Sequence, residues 1–283
     1  MKIRFLGTAA AEGIPGIFCG CKNCVEARAR GGRFVRTRSQ LIIDDRLLID
    51  FGPDTYHHSL TYGIDLSKIS DVLITHVHSD HFYPDEIKNR FVGYSSFMEH
   101  EALTFHGSQD IVEPIERLLS RSGSRANRDR IITRVLRPYE TVRVLDYDVT
   151  PLPARHGTEH PYLYLINDGK SSFLMLNDTG RLIDEHYDFL SSSGVKVDAV
   201  SYDCTYGNID VEAKFGVAGH HMGLLDDVAV RDRLISEGIA DERTLNIATH
   251  FSHNPVGVGY EEMLVHTDGC GFLLAFDGMS IEI

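Results

Sequence analysis

Thr75-His76-Val77-His78-Ser79-Asp80-His81 follows the apolar run Val72-Leu73-Ile74, and the reading of this stretch decides the fold. Four side chains able to hold a metal ion, His76, His78, Asp80 and His81, fall within six consecutive residues. Packing alone gives no reason for such a cluster. If the run is a strand, His76 and His78 leave the same side of the extended chain, because side chains repeat every two residues. Asp80 and His81 lie past the strand end, where the chain turns toward Pro84-Asp85-Glu86, and are expected to address a second position nearby. That geometry suggests two ions. Imidazole suits zinc, iron or manganese, and a carboxylate tolerates any of these.

Further candidates come later in the chain, one at a time, each beside an apolar run. His156 sits in Pro153-Ala154-Arg155-His156-Gly157, before Tyr162-Leu163-Tyr164-Leu165-Ile166. Asp178 closes Ser172-Phe173-Leu174-Met175-Leu176, and His250 closes Leu245-Asn246-Ile247. The motif H-x-H-x-D-H after an apolar strand, followed by these three in this order, resembles the metallo-β-lactamase superfamily of hydrolases. The resemblance implies that His76, His78 and His156 hold one ion and Asp80, His81 and His250 the other, with Asp178 bridging them. It also implies an α/β fold, an αββα sandwich in a single domain over residues 1–283.

The remaining pattern fits that architecture. The N-terminal Met1 to Ala11 reads as a first strand, since Arg4 interrupts any secretion-signal core. Gln40 to Asp44 and Arg46 to Asp50 read as a hairpin turning at Asp44-Asp45. Phe51-Gly52-Pro53-Asp54-Thr55 is expected to open a helix with Pro53 in its first turn and with His57 and His58 on its surface. Asp50 is a candidate support for metal ligands. A strand at Ala102 to His106 and a helix from Ile111 to Leu119, capped by Ser108 or Asp110, precede a basic loop, Arg121 to Arg130. Strands near 161, 172, 197, 244 and 271 then alternate with helices around 181–192, 222–237 and 257–267, as sheet layers covered by helices require.

Composition narrows the function. With 42% hydrophobic and 24% charged residues the chain is ordinary for a globular enzyme, and no apolar run reaches the ~18 residues needed to cross a membrane. A formal charge of −13, from 28 basic and 41 acidic residues, argues against a protein that grips nucleic acid by its phosphates. Bound divalent ions reverse the sign locally, so an anionic substrate still fits the metal centre.

A second cluster, Cys19-Gly20-Cys21-Lys22-Asn23-Cys24, places three of the five cysteines within six residues. In a chain without an export signal, expected to be cytoplasmic, thiols stay reduced and such a cluster points to metal rather than disulfides. Three thiolates need a fourth ligand for a closed tetrahedral zinc site. The pattern resembles the phosphodiesterase branch of the superfamily from the carbon–phosphorus lyase pathway. There a distant histidine completes a structural zinc, and the matching residue here is His253, so the zinc-binding loop would be an insertion at about residues 13–39. Cys204 and Cys270 read as buried small residues. Gly219-His220-His221-Met222-Gly223 opens a further helix, and by the same resemblance His221, or else His220, is the acid that protonates the leaving group.

The resemblance implies a phosphodiesterase acting on a small or cyclic phosphodiester. Two zinc, manganese or iron ions share an attacking hydroxide that Asp80 helps to orient. Relatives also imply a homodimer. Three alternatives stay open: a tRNA 3′-processing endonuclease, a thioester or lactone hydrolase, and a non-hydrolytic binding protein of cofactor biosynthesis. Arg155, His160, Asp203 and Tyr206 are candidate pocket residues.

Overall fold

Two seven-stranded sheets lie face to face with helices on their outer sides, in a computed structural model that describes residues 1–211, 219–254 and 259–283. The first sheet has the order β14-β1-β2-β3-β4-β5-β6. Its strands are β1 (Lys2–Gly7), β2 (Gln40–Ile43), β3 (Leu47–Ile49), β4 (Asp71–Leu73), β5 (Leu103–Gly107), β6 (Ile131–Val135) and β14 (Ser280–Glu282). The second has the order β13-β12-β11-β10-β9-β8-β7. It comprises β7 (Val142–Val144), β8 (Tyr147–Pro153), β9 (Tyr162–Asn167), β10 (Ser172–Leu176), β11 (Ala199–Asp203), β12 (Leu245–Thr249) and β13 (Leu273–Leu274).

Strict alternation makes this a four-layer sandwich. Ile3, Phe5, Leu41, Ile43, Leu47, Ile49 and Leu73 of the first sheet meet Tyr164, Ile166, Phe173, Met175 and Ile247 of the second in one central core. Their neighbours Leu6, Ile42, Leu48, Val72 and Ile74 face outward, beneath α3 (Val112–Ser122). Leu163, Leu165, Leu174 and Val200 face outward on the other side, beneath α5 (Asp184–Ser192), α6 (Leu224–Ser236) and α7 (Tyr260–Gly269). A strand buried on both faces reads as a continuous apolar run, which is why β2, β4 and β10 looked uniformly hydrophobic. Among the described residues no helix is long and apolar enough to cross a membrane.

Several expectations need correction. β4 stops at Leu73, so His76 and His78 stand in the following loop and not on a strand face. Pro53 precedes its helix, α2 (Thr55–Tyr62), because the chain just before it is still held extended, with Phe51 in a bridge to Phe82. His57 is exposed, but His58 is buried, its ring between Gln40 Oε1 and Thr37 Oγ1 at 2.6 Å each. The basic stretch Arg121 to Arg130 is not a plain loop, since α3 runs to Ser122 and a short α4 (Arg125–Arg128) follows, with Arg128 paired to Glu116. Cys204 is buried as expected, whereas Cys270 is only partly so. The hairpin turn at Asp44-Asp45 has both residues at positive φ, as a tight turn between twisted strands needs. The first residues of the 257–267 helix lie outside the described residues, and α7 is seen from Tyr260.

One contact ties the two sheets together beside the histidine cluster. Tyr164, fully buried on β9, donates its hydroxyl to the Ile74 carbonyl at 2.6 Å, and the Tyr162 amide donates to the Thr75 carbonyl at 2.8 Å. Tyr164→Phe removes the first bond and leaves a buried acceptor short of a partner. Urea unfolding is expected to show a loss of about 1–3 kcal/mol.

Candidate metal centre

Loops at one end of the sandwich carry the predicted residues. His76, His78, Asp80 and His81 follow β4, His156 follows β8, Asp178 follows β10 and His250 follows β12. Three of the connecting residues, Asp50 (φ 67°), Asp178 (φ 53°) and His250 (φ 61°), adopt the left-handed region, which costs a non-glycine residue energy and persists where surroundings dictate it. A Cβ on Gly52 would stand 2.0 Å from the Asp80 carbonyl oxygen, so only glycine lets the chain after β3 pass this close to the Asp80-His81 turn. The Phe51 amide donates to the His81 carbonyl at 2.7 Å, joining the two segments.

Donor atoms converge in two groups. His76 Nε2 and His156 Nε2 each lie 3.0 Å from His78 Nδ1. Nitrogens bound to one tetrahedral ion at 2.0–2.1 Å stand about 3.3 Å apart, so this spacing fits a shared ion, slightly drawn in. Asp80, His81 and His250 form the second group, with Asp80 Oδ2 3.1 Å from His81 Nε2. Asp178 stands between the two. Its Oδ2 lies 2.9 Å from both His81 Nε2 and His250 Nε2, while Oδ1 lies 3.6 Å from His156 Nε2. Despite these distances, His81 Nε2, His250 Nε2 and Asp178 Oδ2 are buried and make no aligned hydrogen bond. Atoms that approach without aligning on one another are what a common cation between them would require.

Neighbouring groups orient the rings for that task. Thr75 donates its amide and hydroxyl to Asp50, leaving the hydroxyl oxygen, 3.0 Å away, to accept from His76 Nδ1. Asp50 Oδ2 accepts from His81 Nδ1 at 2.6 Å, and the His220 carbonyl accepts from His156 Nδ1 at 3.1 Å. Thr205 donates its hydroxyl to Asp203 at 2.6 Å and accepts from His250 Nδ1 at 2.9 Å. The partners of these four rings place a proton on Nδ1 and leave Nε2 as the atom turned to the centre, the one that would bind metal once unprotonated. Burial raises the Asp178 carboxyl, but His250 and His81 more than offset this and hold it well below the usual carboxylate range. Against its own burial, His81 is held well above the usual imidazole value by Asp178, Asp80 and Asp50. Buried carboxylates and imidazoles that perturb one another in this way cluster at functional sites.

Beside the centre, His221 donates from Nδ1 to Asp203 Oδ2 at 2.7 Å. Its ring stacks on that of His250 with centroids 5.6 Å apart. Burial lowers the imidazole, but the Asp203 charge and hydrogen bond outweigh it and raise His221 to about 9. Asp203 itself, fully buried, also accepts from the Thr179 and Thr205 amides. His220 contributes its carbonyl to His156, and its side chain is not needed for that bond. Of the other pocket candidates, Tyr206 reaches the His221 ring at 6.1 Å, His160 pairs with Asp110 and Arg155 with the Arg181 carbonyl. Thr75 and Thr205 were missed, because a threonine after a strand carries no signal of its own. Asp203 was expected only as a pocket residue, without its bond to His221.

The cysteine loop forms a separate cluster. Cys19, Cys21, Cys24 and His253 come together, with His253 Nδ1 3.6 Å from Cys19 Sγ and 3.8 Å from Cys21 Sγ. Around tetrahedral zinc the sulfur–nitrogen separation is about 3.5 Å, so the donor set and spacing suit that ion. Arg28 braces the loop through the Gly16 and Cys19 carbonyls, and the Gly16 amide donates to Cys24 Sγ.

Comparison with known proteins agrees with this fold. A family model described as a beta-lactamase superfamily domain matches residues 45–230. An octanoyltransferase of Porphyromonas gingivalis (strain ATCC BAA-308 / W83) is 28% identical over 165 residues, which are 56% of this chain and 31% of that protein. A ribonuclease Z of Staphylococcus carnosus (strain TM300) is 30% identical over 131 residues, 45% of this chain and 37% of the relative. The chain thus spans about a third of the length of these curated relatives. Among solved structures, a diphosphatase from the PhnP family superposes with a TM-score of 0.74 at 20% identity, covering 100% of this chain and 97% of that one. Zinc-bound PqqB from Methylobacterium extorquens gives 0.71 at 21% identity, with 100% of both chains covered. The short form of human tRNase Z gives 0.68 at 17% identity, covering 100% and 99%.

Asp50 holds two of the rings, His81 directly and His76 through Thr75. Asp50→Asn is expected to weaken divalent-ion affinity by about 10–100-fold in a competition titration against a chelating dye.

Proposed function

The chain belongs to the beta-lactamase superfamily, and from that premise we propose that it is a dinuclear metal-dependent phosphodiesterase acting on a small or cyclic phosphodiester. His76, His78 and His156 would hold one divalent ion, Asp80, His81 and His250 the other, and Asp178 would bridge them. Zinc, manganese and iron all suit this donor set. Cys19, Cys21, Cys24 and His253 would hold a structural zinc. Ions held at the paired site would supply a water of lowered pKa and offset charge on the phosphoryl oxygens.

The observation that carries the reading is the His221–Asp203 pair. An alkoxide leaving a phosphodiester needs a proton as it departs, and His221, held protonated through neutral pH by Asp203, stands at the cavity wall with its Nε2 uncommitted to the carboxylate. A thiolate leaves without such help, so the pair speaks for an oxygen leaving group over a thioester. Asp80, beside His81, would orient the attacking water as well as hold metal. The ribonuclease Z relative supports a second reading, endonucleolytic tRNA processing, but a net charge of −13 weighs against it. A precursor-tRNA cleavage assay separates the two.

Reconstitution with zinc or manganese is expected to give turnover of a generic aryl phosphodiester, and Asp178→Ala to abolish it. Failure with every divalent ion overturns the proposal. Elemental analysis is expected to find about three ions per chain, one of them resisting chelation. His221→Ala should lower kcat on an alkyl-leaving-group diester about 10²–10⁴-fold. Because the acid must be protonated, kcat is expected to fall as pH rises through about 9. Asp203→Asn removes the group that raises His221 and should move that fall to lower pH.

A further inference from the structure

One acidic side chain at the active cavity is left over once the metal assembly is complete. The cavity, of about 240 Å³, is walled by five of the seven proposed ligands together with Ala10, Ala11, Glu12, Thr205, His221 and Ser252. Asp80 and Asp178 are committed to the ions on the reading above, whereas Glu12 is not among the converging donors. Its Oε1 accepts from the Ser252 hydroxyl and lies 4.0 Å from His253 Nε2, and among the described residues its Oε2 has no hydrogen-bond partner. The side chain is one-third exposed. It is therefore pinned by one oxygen and free to bind through the other.

Among the described residues, the one cationic side chain on this wall is His221, which the reading above commits to the leaving group. No lysine or arginine lines the cavity among the described residues. Arg38, which donates to the Ala11 carbonyl, is turned away into an ion pair with Asp54 at 3.0 Å. A substrate with a second anionic group would find no counter-charge beyond the ions and the already committed His221, and would meet Glu12. A substrate with a cationic group near its phosphodiester would find a fixed carboxylate waiting.

We infer that Glu12 is a specificity-determining residue that selects phosphodiesters bearing an ammonium group and rejects those bearing a second anion. This rests on the phosphodiesterase reading and names its substrate class. The test compares p-nitrophenyl aminoethyl phosphate with p-nitrophenyl propyl phosphate, two diesters of similar size with the same reacting phosphorus and aryl leaving group. The metal-loaded wild-type protein is expected to favour the ammonium ester by about tenfold in kcat/KM, the usual scale for a hydrogen bond to a charged group. Glu12→Gln, which still accepts from Ser252, should bring the two esters within about twofold of each other, and Glu12→Lys should favour the propyl ester. Equal rates in the wild type, or a preference that survives Glu12→Gln, overturns the inference. If neither ester is turned over, the phosphodiesterase reading fails and the dissociation constants of the two esters, measured by calorimetry, decide on Glu12. Unequal Kd values lost in Glu12→Gln support it, and equal values overturn it. Loss of zinc from the cysteine cluster in Glu12→Gln would assign the carboxylate to supporting His253 and likewise overturn it.

Discussion

Charge buried without water has to be answered by other charge, and in this molecule that requirement is concentrated at one end of a sandwich. Asp50, Asp178 and Asp203 are each at most 4% exposed, and every one of them is met by imidazole. A carboxylate in such surroundings is tolerable only if fully partnered, since its lost hydration is worth several kcal/mol. Partnership here extends outward in layers. Ligand rings are answered by Asp50, Thr75, Thr205 and the His220 carbonyl, and these in turn are anchored to strand ends. Removing any member exposes the others to an unpaired burial, so the site behaves as one unit.

Rigid sheets make this layering affordable. Each ligand loop leaves a strand whose side chains are packed on both faces, so the loop bases cannot drift. The left-handed residues Asp50, Asp178 and His250 sit at those exits, where a change of chain direction turns the side chain toward the centre. Strain of this kind is sustained by the surrounding core. The Tyr164 hydroxyl, reaching from one sheet to the backbone just before His76, shows the same principle at the scale of one bond.

The segment from His250 to His253 links two chemistries. His250 faces the paired site and His253 faces the cysteines, with Phe251 bridged to Ala9 between them. Glu12 and Ser252 meet on this shared strip. A change in the cysteine loop would therefore reach the cavity wall through three residues of chain, and a substrate pressing on Glu12 would press on the same strip.

The local order of residues was enough to expose the leading quartet, the cysteine cluster and the apolar runs, because ligand type and strand burial are both written in consecutive positions. His156, Asp178 and His250 were legible through their order after strands, and only by resemblance to other proteins. What sequence could not show was which isolated polar residues turn inward. His58 reads as a surface residue of a helix yet lies buried between Gln40 and Thr37, and Asp203 reads as a pocket candidate of no stated role yet organises His221. Even the spacing of His76 and His78 misled as to cause, for the strand ends at Leu73 and a loop brings the two rings together. Chain order determines which donors are available and near which strand end. Their convergence, ring orientation and protonation depend on contacts between residues far apart in the chain, as between His81 and His250, which exist only when both sheets are packed.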